Sequence, residues 1–227
     1  MYEFLNDLLP NVMPILPEFE RATRETIYMS FWTTVIGCGI GTILGIVLVV
    51  TRKGGLWENS AAYQIFDKVI NIFRSIPFII LITLLNVATR MIVGTTIGPT
   101  AAIVPLVIGT IPFFGRQIEN ALLEVDPGVI EAAQSMGISN LGIIFRVYLK
   151  EGLPGIIRVM ALTMISIIGF TAMAGAIGGG GLGNLAISRG HARFQTDVTW
   201  VATLIILVLV FITQFVSNVI IKKITHD

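Results

Sequence analysis

Apolar residues in this chain gather into long blocks, with few of the short alternating runs that would signal strands. Five blocks, at about residues 27–50, 69–89, 99–118, 155–177 and 198–221, are long enough to be helices that cross a bilayer. A hydrocarbon core demands roughly 20 mostly apolar residues per helix, because lipid satisfies no free backbone polar group. The first block is uncharged and carries Gly37, Gly39, Gly41 and Gly45, which would let another helix approach closely. The second holds Arg74 and Pro77 near its start, the third Pro105 and Pro112, and the fourth Arg158 where it begins. The fifth is uniformly apolar up to Lys222 and Lys223. The expected fold is therefore all-α: one polytopic membrane domain over residues 1–227 with five transmembrane helices.

Between the third and fourth blocks, residues 119–152 form a connection far longer than a turn between antiparallel helices needs. Asp126 is placed to cap a helix with Pro127 at its first position, and Val129, Ile130, Ala133 and Met136 or Gly137 recur at helical spacing. Gly137 suits the helix end. A second amphipathic piece over 139–149 would place Leu141, Ile144, Phe145 and Tyr148 on one face. The first helix would then expose Glu131 with the small Ala132 and Ala133 beside it, a surface that admits close docking.

Composition agrees with the membrane reading: 54% of residues are hydrophobic, 13% are charged, and mean hydropathy is +0.85. A soluble domain of this size would need more charge to cover its surface. The net charge of +1 gives no reason to expect nucleic acid. Lys and Arg set orientation, since positive loops stay in the cytoplasm. Ten of them (Arg52, Lys53, Lys68, Arg74, Arg116, Arg146, Lys150, Arg158, Lys222 and Lys223) fall on one side, against Arg21, Arg24, Arg90, Arg189 and Arg193 on the other. With five spans this places the N-terminus outside, the C-terminus inside and the long connection in the cytoplasm. The N-terminal 20 residues hold acids and prolines and lack a basic leader region, so they read as a segment at the membrane surface.

The connection carries a pattern. Glu131-Ala132-Ala133, three residues, then Gly137, and nine residues later Val147-Tyr148-Leu149, resembles the cytoplasmic EAA motif of the inner-membrane permeases of ATP-binding-cassette (ABC) importers. That motif ends in Ile-x-Leu-Pro, and Lys150 stands in place of its proline, with Pro154 four residues on. The stretches NIFRSIPFIIL, VGTTIGPTAAIVPL, ENALLEVDPGVIEAAQSMG and GGGGLG narrow the resemblance to methionine-importer permeases. The resemblance implies a type I importer permease fold in the plasma membrane of a bacterium and a homodimer enclosing the passage. It further implies separate ABC ATPase subunits gripping Glu131, Ala132, Ala133 and Gly137, an extracytoplasmic substrate-binding protein, and methionine and its derivatives as cargo. No cofactor is expected on this chain, and ATP is used by the partner. An ABC permease for another amino acid or small organic solute is an alternative on the same resemblance.

Other classes fit less well. No G-x-x-x-x-G-K-[ST] occurs, so ATP hydrolysis would belong to another polypeptide, and no nucleophile, base and stabiliser can be assembled into an enzyme. GGGGLG at 178–183, with Asp197 after it, mimics a dinucleotide fingerprint but follows a membrane helix where that fingerprint follows a strand. It reads as a flexible or tightly turned helix exit, or as a mobile loop that meets a binding protein. No Asp or Glu lies inside the five blocks, which argues against an ion-coupled secondary transporter. A channel would want a selectivity segment or charge ring, and neither is present.

Arg74, Arg90 and Arg158 read as interface anchors, with contact to a partner, or pairing of Arg158 with Glu131 or Glu151, as the sharper alternatives. Cys38 reads as a small packing residue, and the isolated His191 and His226 give no metal-ligand spacing. Met160, Met164 and Met173 along the fourth block are adaptable packing, or one face of a passage with Met164 and Met173 as pathway or gate residues.

Overall fold

The computed structural model describes residues 9–224; the first eight residues and residues 225–227, His226 among them, lie outside them. Among the described residues every regular element is helical. Helix α1 (Leu16–Thr33) passes through a π-helical turn (Thr34–Cys38) into α2 (Gly39–Thr51). Then come α3 (Ser60–Ser75), α4 (Phe78–Leu84), α5 (Asn86–Val93) and α6 (Pro99–Leu123). The long connection holds α7 (Pro127–Ser135), α8 (Asn140–Ile143), a π turn (Ile144–Tyr148) and α9 (Leu149–Glu151). Helix α10 (Leu153–Ala174), a kinked exit (Gly175–Gly179), α11 (Gly181–Asn184), a π turn (Leu185–His191) and α12 (Thr196–Ile224) complete the chain.

Among the described residues four helical stretches are long and apolar enough to cross a membrane: Met13–Thr51, Pro99–Leu123, Leu153–Gly179 and Thr196–Lys223. The expected second span, 69–89, is not one helix. Pro77 offers no N–H and holds Ile76 extended (ψ 122°), which ends α3 at Ser75, and Leu85 separates α4 from α5. The first helix begins well before residue 27. Its polar first turns are held by i,i+4 pairs, Arg21 with Glu25 at 2.9 Å and Arg24 with Glu20, so the helix extends past the apolar block.

The described residues form two compact units. The first comprises 9–35, Pro77–Ile108 and Met164–Gln214; the second comprises Ile36–Ile76, Gly109–Thr163 and 215–224. In the first, Val12, Phe19, Ala22, Leu182, Leu185, Val198 and Ala202 make one buried cluster. Polar bonds fasten its edges: Asn11 donates to both Asp197 carboxylate oxygens at 2.9 and 3.0 Å, and Arg189 pairs with Glu18 at 2.7 Å. In the second, Cys38, Val49, Phe114, Ile118, Leu122, Ala133, Ile143 and Tyr148 share one core. Two of the four early glycines permit its packing. A Cβ at Gly45 would stand 2.6 Å from the Ile118 side chain and 2.7 Å from the Gly115 carbonyl, and one at Gly41 would stand 3.0 Å from Phe114, whereas Gly39 faces open space.

Candidate functional site

The long connection folds as its sequence dictates at both ends of α7. The Asp126 carboxylate accepts the Gly128 N–H at 2.8 Å, with Pro127 at the first helical position. Gly137 takes φ +74°, so its N–H bonds the Gln134 carbonyl at 2.9 Å while Ile138 N–H reaches the Ala133 carbonyl at 3.1 Å. Ser139 then caps α8, accepting from Gly142 N–H at 3.2 Å, and the Asn140 amide donates to the Leu56 carbonyl at 3.0 Å.

The faces differ from the sequence expectation in two places. Glu131, Ala132 and Gly137 are exposed, but Ala133 is buried at 2% and joins the core of the second unit. Ala133 therefore seats α7, and of the two alanines only Ala132 is exposed. In the second piece Ile143, Ile144, Val147 and Tyr148 face inward, while Leu141 and Phe145 are 57% and 66% exposed. The cause is the π turn at Ile144–Tyr148, whose wider register brings i and i+4 or i+5 inward, where a pure α count would bring Leu141 and Phe145. Burial pushes the Tyr148 phenol above its ordinary pKa.

Two small cavities flank this segment. One, of about 160 Å³, is lined by Arg52 and Glu131 over an apolar floor that includes Leu56, Leu122 and Ile130. The other, of about 180 Å³, is lined by Glu124, Glu151 and Arg158. Among the described residues neither Arg158 nor Arg52 forms an ion pair with these carboxylates, so the alternative in which Arg158 pairs with Glu131 or Glu151 is not seen.

A charge cluster that the sequence reading missed sits beside them in the second unit. Arg116 bridges Asp67 on α3 and Glu119 one turn further along α6, the latter at 2.5 Å, and Tyr63 on α3 donates to Glu119 at 3.0 Å. Glu119 is only 2% exposed. The third apolar block ends at residue 118, but the helix continues to Leu123 and carries Glu119 with it. An acidic residue therefore does lie in a candidate span, and it is paired. The signal available was the i,i+3 spacing of Arg116 and Glu119 on the predicted face of one helix.

The GGGGLG segment is a tight turn. Gly178, Gly180 and Gly181 take φ of +94°, +79° and +74°, and Gly98 N–H donates to the Gly178 carbonyl at 2.9 Å. Helix α11 starts at Gly181 and is capped from α1: the Glu25 carboxylate accepts Gly181 N–H at 2.8 Å and the Thr26 hydroxyl accepts Leu182 N–H at 2.9 Å. Asp197 is occupied by Asn11. Along α10, Met164 and Met173 are nine residues apart, roughly half a turn out of phase, so they do not share a face as the passage reading required. Met160 packs against the core of the second unit, and Met173 is 37% exposed.

Residues 37–226 match the model of a family described as binding-protein-dependent transport system inner membrane component. The chain belongs to that family. The permease is 51% identical over 211 residues to the methionine import system permease protein MetP of Bacillus subtilis, covering 93% of this chain and 94% of that one. It is 47% identical over 205 residues to a probable D-methionine transport system permease protein of Pasteurella multocida, covering 90% and 94%. Among solved structures, the inward-facing MetNI methionine ABC transporter matches with TM-score 0.92 at 40% identity, over 94% of this permease and 99% of that chain. An amino acid ABC transporter crystallised with histidines shares the fold, with TM-score 0.78 at 18% identity.

Proposed function

We propose that this chain is the membrane-spanning permease subunit of an ATP-driven importer for methionine. The observation that carries this reading is that proteins named as methionine permeases match nine tenths of the chain or more and are nearly half or more identical to it. The chain works as a homodimer in a bacterial inner membrane, coupled to separate ATPase subunits and supplied by an extracytoplasmic binding protein. The exposed apolar surface of α12, whose most apolar window is only 6% buried, supports this: it needs lipid or another subunit against it. The broken segment α3–α5 supplies the fifth crossing, with the N-terminus outside and the long connection in the cytoplasm. Residues 1–227 act as one permease domain.

In this reading α7 is the part that the ATPase grips, through Glu131, Ala132 and the helix end at Gly137. Ala133 fixes α7 to the permease core, so displacement of α7 is passed on as a rigid body. Of the methionines, Met173 is the gate candidate because it is the more exposed, and Met164 lies on the other face. An ion-coupled mechanism is disfavoured because the buried acid Glu119 already has Arg116 and Tyr63 as partners.

The test is uptake of radiolabelled L- and D-methionine into proteoliposomes holding permease and ATPase, with the binding protein outside and ATP on the ATPase side. Accumulation against a gradient should need all components. Accumulation by the permease alone under an imposed ion gradient overturns the reading. In the same assay Gly137→Arg is expected to leave the ATPase bound while lowering uptake at least ten-fold, since φ +74° disfavours any side chain and the new one would stand on the docking surface. Uptake at the parental rate would refute the coupling role of α7.

A further inference from the structure

One cavity in the first unit belongs neither to the connection nor to the charge cluster. It measures about 110 Å³ and is lined by residues of α4, α5, the start of α6 and the exit of α10. Ile82, Ala102 and Ile177 contribute an apolar wall, Thr83, Asn86, Thr89 and Thr96 a polar one, and no charged side chain lines it.

Three backbone and side-chain groups around it lack their ordinary partners. Thr89 is 3% exposed and its hydroxyl has no hydrogen-bond partner. Such a group costs free energy unless something fills its bonding capacity in a working state. Helix α5 starts at Asn86 directly after Leu85, and no side chain caps it. Pro105 has no N–H, so the Ala101 carbonyl loses the bond an α-helix would give it, and both residues line the cavity. Interrupted helices of this kind are tolerated at membrane depth where they border a cavity.

The lining offers both hydrogen-bond donors and acceptors, and all of them are uncharged. The start of α5 and the Asn86 amide offer N–H groups to an anionic end. The Ala101 carbonyl and the threonine hydroxyls accept from a cationic end. A solute with net charge would be desolvated here without a counterion, whereas a zwitterion brings both signs with it. A cavity of roughly 150 Å³ holds a benzene ring, so 110 Å³ takes about the head group or the side chain of an amino acid. The remainder extends past Asn86 and Thr96, which are exposed.

We propose that this cavity is a transit site for one net-neutral amino acid per permease chain, and that it lets the permease itself discriminate against charged amino acids. The identity of the cargo rests on the functional reading above; the site does not.

The experiment is equilibrium dialysis of radiolabelled L-methionine against the purified permease–ATPase complex in lipid nanodiscs without binding protein, with binding to the ATPase alone subtracted. Saturable binding of one methionine per permease is expected, competed by leucine and not by lysine or glutamate. Asn86→Ala and Thr89→Val should each weaken it about five-fold or more, the effect of one lost hydrogen bond. Thr89→Val should also raise the thermal stability of the unliganded complex, because it removes an unpartnered buried hydroxyl, an effect opposite to that of a merely structural threonine. Absence of saturable binding, equal competition by lysine in the parental protein, or unchanged affinity in both Asn86→Ala and Thr89→Val overturns the site. If leucine binds with this variant pattern but methionine is not taken up in the proteoliposome assay, the cargo reading falls and the site stands. If methionine is taken up but the variants bind it normally, the reverse holds.

Discussion

Alanine at Gly183 is expected to cost about 3 kcal/mol or more and to leave little assembled protein in the membrane. A Cβ there would stand 2.3 Å from the carbonyl oxygen and 2.4 Å from the Cα of Ala172. Both are backbone atoms of α10, so no side chain can rotate away. The opposing surface is no more forgiving, since a Cβ at Gly175 would meet the Asn184 backbone nitrogen at 2.4 Å. Relief requires moving α11 off α10, and that pulls Gly181 and Leu182 from their acceptors Glu25 and Thr26. The check is the thermal midpoint of detergent-solubilised protein followed by size-exclusion chromatography. Gly39→Ala is the control: that position has ordinary helical surroundings and open space, so the midpoint should hold or rise. A Gly183→Ala midpoint within a degree or two of the parent would show that the turn yields easily.

Arg116→Ala is expected to destabilise the second unit by about 3–5 kcal/mol, because it strands a buried carboxylate. Glu119 would keep only the Tyr63 hydroxyl, and Asp67 would lose its cation as well. Arg116→Lys should recover only part of the loss, since an ammonium is a point charge and does not present two flat edges to two carboxylates. The double variant Arg116→Met with Glu119→Leu should recover most of it, because packed apolar side chains replace a buried pair at little net cost. Thermal midpoints of the three proteins distinguish these cases. If the double variant is as unstable as Arg116→Ala, the cluster holds α3 to α6 by geometry that apolar packing does not reproduce.

The helices were legible wherever a long apolar block or a cap spelled them out. Asp126, Pro127 and Gly137 bound α7 through strictly local chemistry: a carboxylate within reach of an N–H, a ring that presets φ, and a residue without Cβ at positive φ. The motif residues at the candidate site were legible for the same reason, since they are adjacent in sequence. The end of α6 was not. Apolarity stops at Ile118, yet the helix runs to Leu123 because Glu119 finds Arg116 and Tyr63, and Tyr63 lies 56 positions away. The face of 139–149 was missed because a π turn changes the angular step, which period counting assumes to be constant.

By itself, then, the amino-acid order determined an all-helical membrane chain, the position of its long polar connection, and the caps that start and stop α7. Each of those depends on hydrophobicity or on bonds within a few residues. The tertiary structure alone decided that Ala133 is buried and Ala132 exposed, that GGGGLG is a locked turn, and that Thr89 is sealed with no partner beside a small cavity. These follow from which distant segments close on one another, and burial and pairing are properties of that closure.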